Sequence, residues 1–296
     1  MPSPVRSALQ DPCPRTILVN FSRRRFILGA AAAGATAVGV DAWLVEPRCV
    51  TITRHVLGVP DASRATMRLV QLSDLHLHGV GSHERRIAAA VGRLAPDVVL
   101  VTGDAIDRPD RLGALAAFLG LLPPRTSGYA TLGNWEHWAG VDLAGLRRVY
   151  AAAGIRLLVD ETAEHRHRGS DVLFTGVDDA TGGHPDVEQA LRGVAPRANH
   201  LLLGHSPAYR DRLTTGAPGA LSPYSITCML AGHTHGGQVA PLGHALVLPR
   251  GSGSYVKGWY EGPPLDMYVS RGLGTSVLPL RLGSPPEIAV FDWHLA

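Results

Sequence analysis

Five short clusters of acid, amide and imidazole side chains each follow an apolar run of the chain. They are Ser73-Asp74-Leu75-His76, Gly103-Asp104-Ala105-Ile106-Asp107, Gly133-Asn134, Gly204-His205-Ser206-Pro207 and Gly232-His233-Thr234-His235-Gly236-Gly237-Gln238. Carboxylate and amide oxygens are hard donors, imidazole nitrogens are borderline, and the clusters contain no thiolate. This donor set predicts a site for two metal ions, and paired metals a few ångströms apart cleave phosphate esters.

The pattern of apolar residues predicts the elements that position these clusters. Apolar runs predict strands at residues 67–73, 97–102, 129–132, 155–159, 172–177, 200–203, 226–231, 245–248, 266–269 and 288–291. Helices are predicted around Ile87, Val91 and Leu94 and at residues 112–121, 142–153 and 186–191. Helices alternate with strands early and strands dominate late, which predicts one layered α/β domain with helices outside.

The strand-end placement of the clusters carries more information than any one of them. In layered α/β folds, ligands bind outside the carboxyl ends of the strands. The Asp74-x-His76 and His233-x-His235 pairs are weak signals alone, since a strand-end Asp is often a cap and nearby His residues are often exposed. Their joint occurrence in this order predicts that all five clusters converge on one metal-binding rim.

The basic excess of the chain belongs to its first 48 residues. That segment holds six Arg against Asp11, Asp41 and Glu46, and the remainder is neutral, with as many basic as acidic residues. A neutral domain gives no electrostatic reason to expect nucleic-acid binding. The three cysteines of the chain do not form a disulfide framework, and Cys228, in an apolar run, is predicted to be buried.

Residues 1–48 are interpreted as a signal or anchor segment. Ser22-Arg23-Arg24-Arg25-Phe26-Ile27-Leu28 resembles the twin-arginine export motif, and residues 26–40 are uncharged and rich in Ala and Gly. An apolar stretch of that length is shorter than the ~20 residues of a typical spanning helix and suits a signal segment. We therefore expect the twin-arginine export machinery as a partner and a location in the periplasm or cell envelope. Cleavage and retention as an outward-facing membrane anchor, with the membrane surface as a further partner, both stay open.

The motif set resembles the calcineurin-like metallophosphoesterases, from Met67 to about Phe291. The carrying motifs are D-x-H, G-D-x-x-D, G-N, G-H and G-H-x-H. The form G-H-T-H-G-G-Q and the later Tyr-Val-Ser-Arg-Gly-Leu-Gly segment resemble the exported or membrane-associated bacterial branch, which includes enzymes likened to UDP-diacylglucosamine pyrophosphatases. The resemblance implies a four-layer α-β-β-α sandwich at residues 67–296, with two central mixed sheets flanked by helices. Residues 49–66 then form a linker that has room for a first edge strand.

Seven residues would be metal ligands if the family roles are carried over by position. The first metal would be held by Asp74, His76 and His235, the second by Asn134, His205 and His233, and Asp104 would bridge both. Asp107 would orient the ligands or the turn at Gly103. The metals would lower the pKa of a bound water and supply hydroxide for in-line attack on phosphorus. The sequence does not distinguish Mn, Fe, Zn and Ni.

The chain departs from the family pattern at Gly133-Asn134-Trp135-Glu136-His137. In the usual form His follows Asn directly and is thought to protonate the leaving oxygen. An indole N–H donates a hydrogen bond but does not release its proton as an acid. His137 is the candidate catalytic acid in its place, and the alternative is a surface residue at the start of a helix.

The sequence favours an exported, dinuclear-metal phosphoester hydrolase. Its expected substrate is a phosphodiester or pyrophosphate of the cell envelope, with a lipid-linked molecule as one option. One rival is a catalytically weak binding or scaffold protein on the same fold. The full ligand set argues against this rival function, and the missing acid argues for it. Another is a dinuclear hydrolase of amides or lactams, but those usually begin with H-x-H, whereas here D-x-H comes first.

Overall fold

The computed structural model describes residues 23–124, 127–215, 221 and 223–296. The chain divides into two compact units, Met1–Gly39 and Val40–Ala296. In the first, helix α1 begins at Arg23, so Ser22 of the twin-arginine motif lies outside the described residues. α1 spans Arg23–Val40 and is followed by a π-helical turn, Asp41–Val45, and a 3₁₀ turn, Glu46–Arg48.

The N-terminal helical stretch is longer than the sequence analysis expected. Helical structure does not end at Asp41, and the 23 residues Phe26–Arg48 are long and apolar enough to cross a membrane. The expectation of a stretch too short to span was therefore wrong, because one acidic residue does not stop a helix. By length and composition this stretch fits either a signal sequence or a membrane anchor.

Twelve strands form two six-stranded mixed sheets. The first sheet, in spatial order, contains β1 (Thr51–Leu57), β12 (Glu287–His294), β2 (Thr66–Leu72), β3 (Val98–Thr102), β4 (Ser127–Thr131) and β5 (Ile155–Leu157). The second contains β10 (Gly258–Tyr260), β11 (Met267–Val269), β9 (Cys228–Ala231), β8 (Asn199–Leu203), β7 (Ser170–Gly176) and β6 (Glu161–His167). Strands β2 to β5 are mutually parallel, as are β11, β9, β8 and β7. Parallel strands bring their carboxyl ends to the same edge of each sheet.

Six further helices follow α1 in the part of the chain that the structure describes. They are α2 (Ser82–Leu94), α3 (Leu112–Leu119), α4 (Asn134–Trp138), α5 (Leu143–Ala152), α6 (Val187–Leu191) and α7 (Tyr209–Thr215). Apolar residues of α2, α3 and α5 pack against the outer face of the first sheet. Those of α6 and α7 pack against the second.

A middle apolar layer joins the inner faces of the two sheets. Successive β3 residues alternate between layers, since Val98 and Leu100 face the second sheet while Val99 and Val101 face the helices. This alternation follows from the two-residue period of a strand and requires apolar residues at every position. The predicted four-layer α-β-β-α sandwich is thereby confirmed.

Several local predictions differ from the structure. No strand forms at residues 245–248, where irregular chain follows the 3₁₀ turn Pro241–Gly243. No strand was predicted between residues 159 and 172, but His165 and His167 lie in β6, paired with β7. The first edge strand allowed within residues 49–66 is β1, and it pairs in parallel with β12. Cys228 is buried, as predicted.

Candidate metal centre

The predicted ligands lie at the carboxyl ends of five parallel strands. β2 is followed by Asp74, β3 by Asp104, β4 by Asn134, β8 by His205 and β9 by His233. Five of the predicted ligands have positive φ angles between 43° and 75°: Asp74, His76, Asp104, His233 and His235. Residues other than Gly rarely adopt this backbone region, and such strain concentrates at functional sites.

The first group of converging side chains comes from β2 and β9. The Nε2 atoms of His76 and His235 are 3.2 Å apart, and His235 Nε2 lies 3.4 Å from Asp74 Oδ1. All three residues are buried, and one potential ligand atom of each lies within 4.8 Å of the others. They are the three residues that the sequence analysis assigned to the first metal.

The second group contains Asp104, His205 and His233, whose potential ligand atoms also lie within 4.8 Å of one another. His233 Nδ1 is 3.3 Å from His205 Nε2 and 2.8 Å from Asn134 Oδ1. The amide oxygen of Asn134 is therefore a fourth potential metal ligand in this group. His205 Nδ1 lies 2.7 Å from the carbonyl oxygen of Thr102, to which it donates, so Nε2 faces the centre.

Asp104 contacts both groups through one carboxylate oxygen. Its Oδ2 lies 3.1 Å from His205 Nε2 and 3.8 Å from His76 Nε2. Its Oδ1 accepts a hydrogen bond from the Trp135 backbone N–H at 2.9 Å. One oxygen faces both histidines while the other is held by the backbone, which is the arrangement a bridging ligand requires.

The electrostatics of the cluster fit a pair of cations. Burial lowers the pKa of His76, His233 and His235, which favours the neutral imidazole that binds metals. Burial also opposes protonation of His205, but Asp104 and Asp74 outweigh it and raise its pKa well above the ordinary value. Burial would raise the pKa of Asp104, yet His205 and His76 lower it to about 2. The cluster therefore favours positive charge beside Asp104, which a metal ion would supply.

Two glycines let the ligand loops approach one another closely. A Cβ atom at Gly133 would overlap the carboxylate of Asp104, and one at Gly232 would overlap the side-chain oxygen of Ser73. Neither position leaves room for a side chain. The G-N and G-H-x-H motifs therefore need glycine for close packing at the centre.

Glu136 is a buried residue of the site that the sequence analysis missed. Its carboxylate accepts hydrogen bonds from the backbone N–H groups of Gly133, Asp104, Ala105 and Ile106. Burial and the charge of Asp104 raise its pKa to about 7, while the hydrogen bonds from Gly133 and Ile106 lower it. Glu136 thus holds the loop after β3 against the loop after β4 by hydrogen bonds to both. The only sequence signal was its place three residues after Gly133, the spacing of a helix-capping box.

Arg281 is a second missed residue. Its fully buried guanidinium donates to the carbonyl oxygens of Gly274, Arg271 and Ser284 and lies 3.3 Å from His235 Nδ1. Burial lowers its pKa to about 10, so it remains cationic at neutral pH. Its charge helps to lower the pKa of His235. Nothing near Arg281 in the sequence indicated this contact, because it joins segments 46 residues apart.

Trp135 and His137 lie on different sides of α4. The Trp135 ring packs edge-on against His76, with ring centroids 6.0 Å apart, and against Trp138 at 5.7 Å. His137 Nε2 lies 2.6 Å from Asp178 Oδ1, and this hydrogen bond raises the pKa of His137 above its ordinary value. The loop that contains Asp178 and Gly182 reaches the second ligand group, because a Cβ at Gly182 would lie 2.9 Å from the Asn134 Cα atom.

Asp107 lies beside the first group without contacting the Gly103 turn. Its Oδ2 is 3.7 Å from His78 Nε2, and its buried Oδ1 has no hydrogen-bond partner among the described residues. Its charge acts on His76, opposing the effect of burial on that pKa. The turn itself is held by Glu136, so a role for Asp107 in orienting the ligands stays a prediction.

A cavity of about 610 Å³ borders the first ligand group at His76. Its walls include His78 from the loop after β2, His83 from α2 and, from the segment before β1, Trp43, Pro47 and Arg48. Cavities of this size accommodate small organic ligands. The segment that follows the N-terminal helix therefore forms part of the space next to the metal ligands.

The comparison with known proteins agrees with this geometry. A family model described as calcineurin-like phosphoesterase matches residues 67–237, from β2 through the His233-x-His235 pair. The chain belongs to the calcineurin-like phosphoesterase family. It is accordingly a phosphoesterase, and its two buried ligand groups fit the dinuclear metal centre of this family.

Three relatives show how far the similarity extends. The metallophosphoesterase YkuE of Bacillus subtilis is 31% identical over 289 residues, covering 92% of this chain and 97% of that protein. The phosphodiesterase YaeI of Escherichia coli is 28% identical over 279 residues, covering 92% of this chain and 99% of that protein. A transmembrane protein with metallophosphoesterase domain of Danio rerio is 32% identical over 256 residues, covering 82% of this chain and 56% of that protein.

Proposed function

We propose that this phosphoesterase hydrolyses a phosphodiester or pyrophosphate bond in a cell-envelope substrate. The observation that carries the proposal is the pair of buried ligand groups that share Asp104. One metal would be held by Asp74, His76 and His235, and the other by Asn134, His205 and His233. When bound, the metals would polarise the phosphoryl oxygens and lower the pKa of the attacking water.

The protein's own groups prepare this centre before substrate arrives. The backbone N–H of Trp135 donates to Oδ1 of Asp104, and Oδ2 stays directed between His205 and His76. Thr102 holds His205 in the tautomer whose Nε2 faces the centre. Arg281 disfavours protonation of His235. Side chains oriented in this way are preorganised to bind metal.

Leaving-group chemistry supports a diester or pyrophosphate rather than an alkyl monoester. General acid catalysis is typically worth about 10²- to 10⁴-fold, and Trp135 cannot provide it. His137 is the replacement acid in this proposal, because its hydrogen bond to Asp178 raises the pKa of His137 and so favours the protonated form. A phosphate or phenolate leaving group needs such help least, while an alkoxide from a monoester needs it most.

The cavity beside His76 supports a substrate with an apolar part. Trp43 and Pro47 contribute apolar surface to it, and Arg48 contributes a cation. These three residues end the helical stretch that is long and apolar enough to cross a membrane. A lipid-linked phosphoester would place its phosphate at the ligands and its apolar part along this wall. Export by the twin-arginine route, with the leader cleaved or retained, would bring the enzyme to such a substrate.

The test compares leaving groups under matched metal loading. The purified protein is reconstituted with Mn, Fe, Zn or Ni and assayed on a bis-aryl phosphodiester, a pyrophosphate diester and an alkyl monoester. We expect turnover of the first two to exceed that of the monoester well beyond tenfold, and Trp135→His to narrow the gap. His137→Ala is expected to slow only substrates with poor leaving groups.

Two outcomes would contradict the proposal. Strong monoesterase activity that His137→Ala leaves unchanged would mean that the acid lies elsewhere. Metal binding without hydrolysis of any of the three substrates would favour the binding or scaffold function. Asp104→Asn serves as the control for activity that does not come from this centre.

A further inference from the structure

Three segments of the second unit expose an unusual amount of apolar side chain. They are residues 43–45, 242–247 and 277–278, and their exposed apolar side chains are called here the apolar rim surface. Leu242 is 97% exposed, Val277 87% and Val247 78%. Clusters of exposed apolar residues mark interaction sites more often than scattered ones do.

Hydrogen bonds hold these segments against a common stretch, residues 281–284. On one side, Arg281 N–H donates to the carbonyl oxygen of Ala42, and Glu46 accepts from the Gly283 and Ser284 N–H groups. On the other side, Ala240 N–H donates to the carbonyl oxygen of Leu282. Gln238 fixes the third segment by donating to the carbonyl oxygens of Ser276 and Leu278. Because Leu282 N–H donates to the carbonyl oxygen of Gln238, all three segments are anchored at or next to residues 281–284.

Two residues at the tips of this surface have a costly backbone conformation. Leu242 has a φ of 55° and Val277 a φ of 62°. Positive φ is rare for any residue with a side chain and a genuine outlier for a β-branched one such as Val. Neither side chain gains burial from the fold, since both are almost fully exposed. An external apolar environment would supply the burial that the fold does not.

The loops of the surface also lack charge. Residues 239–249 and 272–280 contain no Asp, Glu, Lys or Arg. Placing such loops at a membrane interface would require no charged group to leave water. Segment 43–45 contributes Trp43, a residue type enriched at membrane interfaces. Trp43–Val45 also lie within the stretch Phe26–Arg48 that is long and apolar enough to span a bilayer.

We infer that the apolar rim surface docks on a lipid bilayer. The candidate membrane stretch leads along the chain directly into this surface, which favours lipid over a protein partner. The docked face lies next to the ligand cluster, because Arg281 and Ser284 both contact His235. Docking would therefore keep the metal centre at the membrane surface, including after cleavage of the leader at any point before Trp43. This inference does not depend on the proposed substrate.

The test measures how deeply this surface enters the bilayer. Single cysteines, Leu242→Cys and Val277→Cys, are introduced into the full chain with Cys13→Ser and Cys49→Ser, and labelled with a polarity-sensitive fluorophore. Val59→Cys is the matched control. Val59 is 74% exposed and follows the carboxyl end of β1, whereas residues 43–45 precede the amino end of that strand. In phospholipid vesicles we expect a blue shift and quenching by nitroxide-bearing lipids at positions 242 and 277, and neither at position 59.

A second variant separates docking from the N-terminal helix. With the label on Leu278→Cys, the triple change Leu242→Asp, Val247→Asp and Val277→Asp should abolish quenching while hydrolysis of a soluble aryl diester is retained. Labels at 242 and 277 that stay as exposed to water as the label at 59 would overturn the inference. Shielding that rises with the protein-to-lipid ratio would also overturn it, because a second copy of the chain would then be the occupant.

Discussion

Asp104 shows how one side chain determines the composition of the centre. Its Oδ2 lies 3.1 Å from His205 and 3.8 Å from His76, one histidine of each ligand group, whereas Asp74 Oδ1 lies 3.4 Å from His235 of its own group and 4.0 Å from His205 of the other. Loss of a shared carboxylate removes negative charge from both metal positions at once. Loss of Asp74 removes it mainly from one.

We expect Asp104→Asn to lose both metals and Asp74→Asn to lose mainly one. The exposed Asp110→Asn serves as a control for charge removal near the site. Metal analysis of the purified and reconstituted proteins provides the measurement. A wild-type content well below one metal per chain would contradict the dinuclear assignment, and an Asp104→Asn protein that keeps both metals would contradict the bridging role.

The His137–Asp178 pair should make stability depend on pH. The pKa of His137 is raised by its hydrogen bond to Asp178, and that of Asp178 is lowered by His137 against the effect of burial. The pair therefore stabilises the fold fully between about pH 4 and 6.5. Its contribution is lost as pH rises through the raised pKa of His137 or falls through the lowered pKa of Asp178.

Replacing His137 by Gln should lower the free energy of unfolding by about 1 kcal/mol within that window, since the pair is partly exposed. The difference from wild type should shrink at higher pH, where His137 is already neutral. Urea unfolding of both proteins, in the same metal state and at several pH values, provides the measurement. A difference that is constant from about pH 5 to 9 would show that the ion pair is not responsible.

At the scale of elements, the loops after β3 and β4 act as one unit. Glu136, in α4, accepts hydrogen bonds from three consecutive backbone N–H groups after β3 and from Gly133 after β4. The missing Cβ of Gly133 makes room for the Asp104 carboxylate between the loops. Small changes in the packing of α4 are therefore transmitted to the bridging ligand.

Gly133→Ala should displace Asp104 and cost most of the activity together with about 1–3 kcal/mol of stability, because the added methyl group has no free space. Gly113→Ala is the matched control. Gly113 lies in α3, where a Cβ atom would meet nothing within 4 Å, so the same change there should be neutral or stabilise by up to about 1 kcal/mol. Thermal unfolding and metal content decide the outcome. Equal behaviour of the two variants would refute the close-packing argument.

At the scale of the whole molecule, the N-terminal unit and the catalytic domain differ in composition and in what they bury. Residues 26–40 carry no charge, and the paired Arg23 and Arg24 precede them. The domain that follows contains its own apolar layers and a buried metal centre. A route that exports folded proteins would allow the centre to acquire its metals before export.

Changing Arg23 and Arg24 together to Lys should retain the protein in the cytoplasm, because the twin-arginine receptor distinguishes the guanidinium pair from ammonium groups. A reporter fused to residues 1–48 and fractionation of the cells provide the measurement. An Arg108→Lys change in the full chain controls for effects on folding, since Arg108 is an exposed residue of the domain. Unimpaired export of the double-Lys reporter would exclude the twin-arginine route.

The sequence alone determined the layered fold and the identity of the residues that gather at the rim. Buried strands require near-continuous apolar runs, and parallel strands bring the residues that follow them to one edge, so both features follow from local patterns. The tertiary structure alone decided how those residues are held. Glu136 reaches Ala105 across 31 positions, His137 reaches Asp178 across 41, and Arg281 reaches His235 across 46. Such contacts depend on how separate loops pack, and no local pattern of residue types specifies them. The same reason explains the strand wrongly expected at residues 245–248, where apolar residues face outward instead of joining a sheet.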